Sequence, residues 1–169
     1  MKSLRLFFIA AAAIVLASCG YHIGALKPSY MKDMNTFCVE VFENETLYPD
    51  VGVMMTTAVA NSLQSDGTYR MAPRKEADFI VKGSVSRISR ESLIISADDT
   101  YVSEKIALTV YVNYEVIERK TGKTLSKSFA VDASSIFNQA GSSESSIESA
   151  LSYATRRIAD DITVDLIIE

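Results

Sequence analysis

Apolar and polar positions alternate most regularly between Ser103 and Glu118. Ile106, Leu108, Val110, Val112, Tyr114 and Val116 share one parity, and Ala107, Thr109, Tyr111, Asn113, Glu115 and Ile117 the other. A period of two predicts a strand, with the first set facing a core and the second more exposed. Phe79 to Ser89 shows the same period. Phe79, Val81, Gly83, Val85 and Arg87 fall on one face, opposite Ile80, Lys82, Ser84, Ser86 and Ile88, and Leu93-Ile94-Ile95 extends or restarts the strand. Thr36 to Phe42 is β-branched and aromatic and predicts a first strand; Thr68 to Ala72 predicts a short second one. Lys120-Thr121-Gly122-Lys123 predicts a hairpin turn with Gly122 at positive φ, returning as a strand over Thr124 to Ala133.

The period changes twice. From Val51 to Gln64, Met54, Met55, Ala58, Val59, Ser62 and Leu63 recur at helical spacing, with Asp50 as the expected N-cap and Gly67 suited to the left-handed stop. After a loop expected over Ser134 to Ser143, Ser145 and Glu148 match a capping box. Ile147, Leu151, Ala154, Ile158, Ile162 and Leu166 then line one face of a second helix, with Arg156, Arg157, Asp160 and Asp161 on its solvated side. The order strand, helix, strands, helix predicts an α+β fold: two helices packed on one face of a roughly four-stranded, mostly antiparallel sheet.

The N-terminus is of another kind. Lys2 and Arg5 precede an apolar run from Leu6 to Leu16, too short for a permanent span of roughly 20 residues and suited to a cleaved secretory signal. The run ends in Leu16-Ala17-Ser18-Cys19, which resembles the bacterial lipobox. That resemblance implies cleavage before Cys19 and acylation of its thiol and new amine. Several acyl chains on one cysteine make a stable anchor, whereas one alone binds marginally. Gly20, in place of an Asp, leans towards the outer membrane by enterobacterial sorting rules. The chain thus divides into a signal peptide (1–18), a lipidated tether (19–35) and a single α+β domain (36–169).

Cleavage removes Lys2 and Arg5, taking the net charge from −4 to about −6, a poor balance for general nucleic-acid binding. With Cys19 acylated, Cys38 is the remaining thiol and reads as a small hydrophobe in a strand. His22 is the only histidine, so neither a clustered zinc site nor a Ser-His-Asp arrangement has its parts. Asp98 and Asp99 read as an exposed loop. No catalytic or metal site is expected, and no cofactor beyond the acyl chains on Cys19.

Cys19-Gly20-Tyr21-His22-Ile23-Gly24 resembles the start of mature members of the lipopolysaccharide-assembly lipoprotein family, LptE. Val39 to Pro49 resembles that family's strand followed by F-x-N-x-T, and Ala77-Asp78-Phe79-Ile80-Val81-Lys82-Gly83 its strand entry with Ala-Asp, a hydrophobe and a glycine. The resemblance implies a plug for a large outer-membrane β-barrel, LptD, that helps the barrel assemble and helps pass lipopolysaccharide to the outer leaflet. In the family, basic residues on a loop between two central strands are linked to lipopolysaccharide phosphates. Here that loop, Ser96-Ala97-Asp98-Asp99-Thr100, is acidic. Arg87, Arg90, Arg119, Lys120 and Lys123 are the remaining candidate cations at strand ends. The same segments also resemble lipoproteins that regulate peptidoglycan synthesis or form secretion pores. Those usually carry a long linker after the lipidated cysteine or extra membrane-inserting hairpins, and this sequence shows neither. A hydrolase is the other alternative.

Overall fold

A computed structural model of the chain describes residues 27–95, 103–138 and 144–167. The expected signal peptide, Cys19, His22 and the segment Ser96–Thr100, expected as an acidic loop, lie outside the described residues. One turn of 3-10 helix, Ser29–Met31, opens the described chain. Six strands follow: β1 (Thr36–Val39), β2 (Glu43–Asn44), β3 (Arg70–Met71), β4 (Phe79–Ile95), β5 (Ser103–Glu118) and β6 (Thr124–Asn138). The helices are α1 (Val51–Asp66) and α2 (Glu144–Asp165).

The strands form one sheet in the order β3-β1-β4-β5-β6, and β2 also pairs with β4. The pairs of β1 with β3 and β4, and of β2 with β4, are parallel; β4–β5 and β5–β6 are antiparallel. The sheet is therefore larger and more mixed than the roughly four-stranded, mostly antiparallel one expected. The short strand expected over Thr68 to Ala72 is there as β3. The differences are β2, two residues where turn and loop were read and too short to show alternation, and the parallel pairings of β1 and β2. Parallel pairing of β1 with β4 needs a crossover connection, which α1 supplies.

Both helices cover the same face. From α1, Val51, Met55, Val59 and Leu63 are fully buried, spaced four apart. From α2, Leu151, Ala154, Ile158 and Ile162 are buried, as is Leu166 just past its end; Ile147, the first residue of the expected face, is half-buried against the same core. The expected core face of β5, Ile106 to Val116 in steps of two, is buried throughout. Met31, ahead of β1, is also fully buried in this core.

Local signals fared unevenly. Gly67 (φ 81°) and Gly122 (φ 71°) hold the left-handed conformations that the helix stop and the hairpin require. Asp50 occupies the N-cap position of α1 but sits at φ 61° and makes no side-chain cap hydrogen bond. Its carbonyl, rather than its carboxylate, accepts from Met54 N–H at 2.9 Å. Ser145 lies inside α2 rather than capping it. Residues 134–138, expected as loop, continue β6 paired with β5.

One irregularity redirects a side chain. The β4–β5 register shifts between Val85 and Arg87, leaving Ser86 as an extra residue. Strict alternation would place Arg87 on the core face. The bulge turns it to the open face, and Ile88 takes the core position against the buried cluster.

Candidate functional site

The motif residues knit the fold together. Asp78 Oδ2 accepts from Asn35 N–H at 2.9 Å, Thr36 N–H at 3.0 Å and Thr36 Oγ1 at 2.9 Å. Asp78 N–H donates in turn to Thr36 Oγ1 at 3.0 Å. These bonds, the one from Asn35 first, hold the Asp78 carboxyl below the usual carboxylate range. The Asp78 carbonyl accepts from Arg119 N–H at 2.9 Å, and Arg119 Nε donates to the Ala77 carbonyl. One short segment thus ties the start of β1 to the β5–β6 turn.

The F-x-N-x-T segment does comparable work at the other end of β1. Asn44 Oδ1 accepts from Thr46 N–H and Thr46 Oγ1, and Asn44 Nδ2 donates to the Tyr48 carbonyl at 2.7 Å. Phe42 is buried against Gly83. A Cβ on Gly83 would lie 2.6 Å from the Phe42 ring and 2.3 Å from the Asn113 carbonyl oxygen. The glycine that ends the second motif is therefore the seat of the phenylalanine that opens the first. Both motifs read as structural.

The five candidate cations do not converge. Arg119, Lys120 and Lys123 share the β5–β6 turn, with Lys120 close enough to Asp78 to favour its charged form. Arg87 lies about eight residues along β4 from Phe79, roughly 27 Å away at ~3.4 Å per residue. Residues directly paired across an antiparallel ladder point to the same face. Arg87 pairs with Tyr111 on the open face, while Arg90 pairs with buried Leu108 on the helix side. The pair therefore faces opposite ways. The Arg87 guanidinium stacks over the Tyr111 ring at 4.2 Å.

Around Arg87 the open face is polar along the three long strands. Lys82 Nζ and Glu115 Oε1 are 2.8 Å apart. The hydrogen bond from Lys82 is the main reason Glu115 is held below the usual carboxylate range. Thr109 and Ser134 hydroxyls are 2.7 Å apart one row beyond. Such cross-strand pairs stabilise a wet sheet face. Polar groups also close the helix side. Tyr114 and Ser126 hydroxyls donate to Asp165 Oδ2 at 2.8 and 2.9 Å. The Tyr69 hydroxyl donates to the Leu166 carbonyl at 2.8 Å, and burial pushes it up to about 12.

Among the described residues no group of three or more His, Cys, Asp or Glu could hold a metal ion. Cys38 is half-buried in β1, its thiol pushed up first by burial and then by Glu40, the opposite of an activated nucleophile. No described helix is long and apolar enough to cross a membrane.

No protein among the curated sequences matches the chain. Solved structures resemble it in fold. Protein XCC0632 of Xanthomonas campestris is 9% identical with a TM-score of 0.51, covering 87% of this chain and 89% of that one. Hypothetical protein CT253 of Chlamydia trachomatis is 8% identical with a TM-score of 0.50, covering 80% and 98%. A minor lipoprotein from Acinetobacter baumannii is 10% identical with a TM-score of 0.45, covering 78% and 91%. The family model described as LptE, lipopolysaccharide-assembly, matches residues 34–166, a span that contains all six strands and both helices. The chain therefore belongs to the LptE family of lipopolysaccharide-assembly lipoproteins.

Proposed function

We propose that this lipopolysaccharide-assembly lipoprotein is anchored through Cys19 to the periplasmic side of the outer membrane, where it plugs and helps assemble an LptD-like β-barrel. Its family is non-enzymatic, and the role is one of binding and scaffolding. The observation that carries the reading is the open sheet face. Three strands of 15 to 17 residues present rows of paired polar side chains, while the helices shield the core from the other side. A large barrel has a polar, water-filled lumen, which suits such a face, whose exposed apolar side chain is Ile136 at the far end of β6. The lipid tether raises the local concentration of the domain beside its barrel, so that modest contacts suffice.

Among the five candidate cations, Arg87 is the one we place against lipopolysaccharide phosphate, because it stands on the open face. Arg90 faces the helix side, and Arg119, Lys120 and Lys123 serve the turn beside Asp78. Depleting the protein in its host tests the assembly role. Loss of folded barrel and of surface lipopolysaccharide is expected. Unchanged barrel with altered peptidoglycan cross-linking would favour the peptidoglycan-regulator alternative instead.

A further inference from the structure

A cavity of about 880 Å³ lies on the solvent side of the helix pair, in the seam between α1 and α2. The helices touch through Ser62, whose hydroxyl donates to Asp160 Oδ1 at 2.9 Å and accepts from Thr163 Oγ1 at 2.9 Å. Small side chains such as Ala58 and Thr155 line the groove and keep it open. Val53 and Val164 flank it, 56% and 51% exposed. Asp50 marks one end and Asp66 the other, with Asp160 between them; Arg156 is the single cation among the lining residues.

Charge selects the occupant. A lipid phosphate entering this seam would meet three carboxylates against one guanidinium, and like charges repel it. A cationic amphipathic segment fits both halves of the surface: aliphatic side chains on Val53 and Val164, lysines or arginines on the three aspartates. The 16-residue α1 gives a groove roughly 24 Å long at ~1.5 Å per residue. An amphipathic helix laid between two helices is a recurrent mode of recognition. We propose that the α1–α2 groove docks a cationic amphipathic helix of a partner protein, and that it takes no part in holding anionic lipid. This goes beyond the barrel reading and does not rest on it.

The test uses the mature lipidated protein in nanodiscs of zwitterionic lipid, with empty discs as background. The probe is a fluorescent 16-residue peptide with leucines at helical spacing and lysines elsewhere; its counterpart carries glutamates for the lysines. The lysine peptide should bind, the glutamate peptide should not, and added salt should weaken binding. Asp50→Asn, Asp66→Asn and Asp160→Asn combined should weaken binding about tenfold, as three exposed ion pairs would. Asp33→Asn, Glu76→Gln and Asp132→Asn combined, equal in charge but off the groove, should leave it within about twofold. All six acids are exposed, and in Asp66→Asn and Asp160→Asn the amide oxygen can still accept from Thr68 N–H and the Ser62 hydroxyl, so both variants should stay folded, which melting curves check. Absence of binding, equal weakening by the two triple variants, or binding of short-chain phosphatidylglycerol to the protein without peptide that the Asp50, Asp66 and Asp160 variant alone changes would each overturn the proposal.

Discussion

Asp78 shows how one carboxylate can organise two ends of a sheet. Its Oδ2 accepts three hydrogen bonds from Asn35 and Thr36, which hold its folded pKa below the unfolded value. The stabilisation is therefore present above an unfolded pKa of about 4 and is lost as pH falls through the lower folded value. Asp78→Ala should cost about 1–2 kcal/mol at pH 7, the range for a charged acceptor whose donors are partly open to water. Thermal melts at pH 7 and pH 3 check this: the penalty should shrink at the lower pH, and an equal penalty at both would contradict the assignment. Gly83 makes a second residue-scale prediction. Any β-carbon there meets the Asn113 carbonyl and the Phe42 ring, so Gly83→Ala should cost about 1–3 kcal/mol by overpacking, read from urea unfolding midpoints. The order of the two motifs was visible along the chain. That Phe42 rests on Gly83, and that Asp78 reaches back to Thr36, needs the fold, because each pairing spans some forty residues.

At the scale of elements, periodicity located both helices and the three long strands because each buries one face over many residues. It failed where a signal was one or two residues long. β2 offers no period to read, and Asp50 has the right side chain for a cap but a left-handed backbone. The bulge at Ser86 misled in a more specific way, since one extra residue reverses parity for everything after it. This explains why Arg87, grouped by alternation with Phe79, Val81, Gly83 and Val85, stands on the open face beside Tyr111 while Phe79, Val81 and Val85 are buried. A deletion test follows. Removing Ser86 leaves Val85 opposite Val112 and Arg87 opposite Tyr111, the register already present. Removing Ser89 shifts Arg90 to Ile95 by one and flips their faces. Deletion of Ser86 should cost about 1 kcal/mol, near the centre for single changes, and deletion of Ser89 distinctly more. Melting temperatures in the reverse order would contradict the bulge.

For the whole molecule, the family-matched span of residues 34–166 is a fold with one wet sheet face and one helix-covered face. The N-terminal pattern predicts an anchor at Cys19, and that anchor and the domain together define the proposed role. Replacing Cys19 with Ala should block maturation and leave an uncut precursor, seen as a slower band on gels and loss of labelling by a palmitate analogue. Normal cleavage and retention of that variant would contradict the lipobox. The candidate site was less legible than the fold. Five cations near strand ends looked like one group in sequence, but strand rise and face parity separate them, and no chemistry-bearing motif marks a site that works by shape and polarity. The most direct measurement is affinity purification of the mature, lipidated protein from detergent-solubilised membranes. Recovery of an outer-membrane β-barrel as the stoichiometric partner is predicted; recovery of a peptidoglycan synthase with no barrel would contradict it.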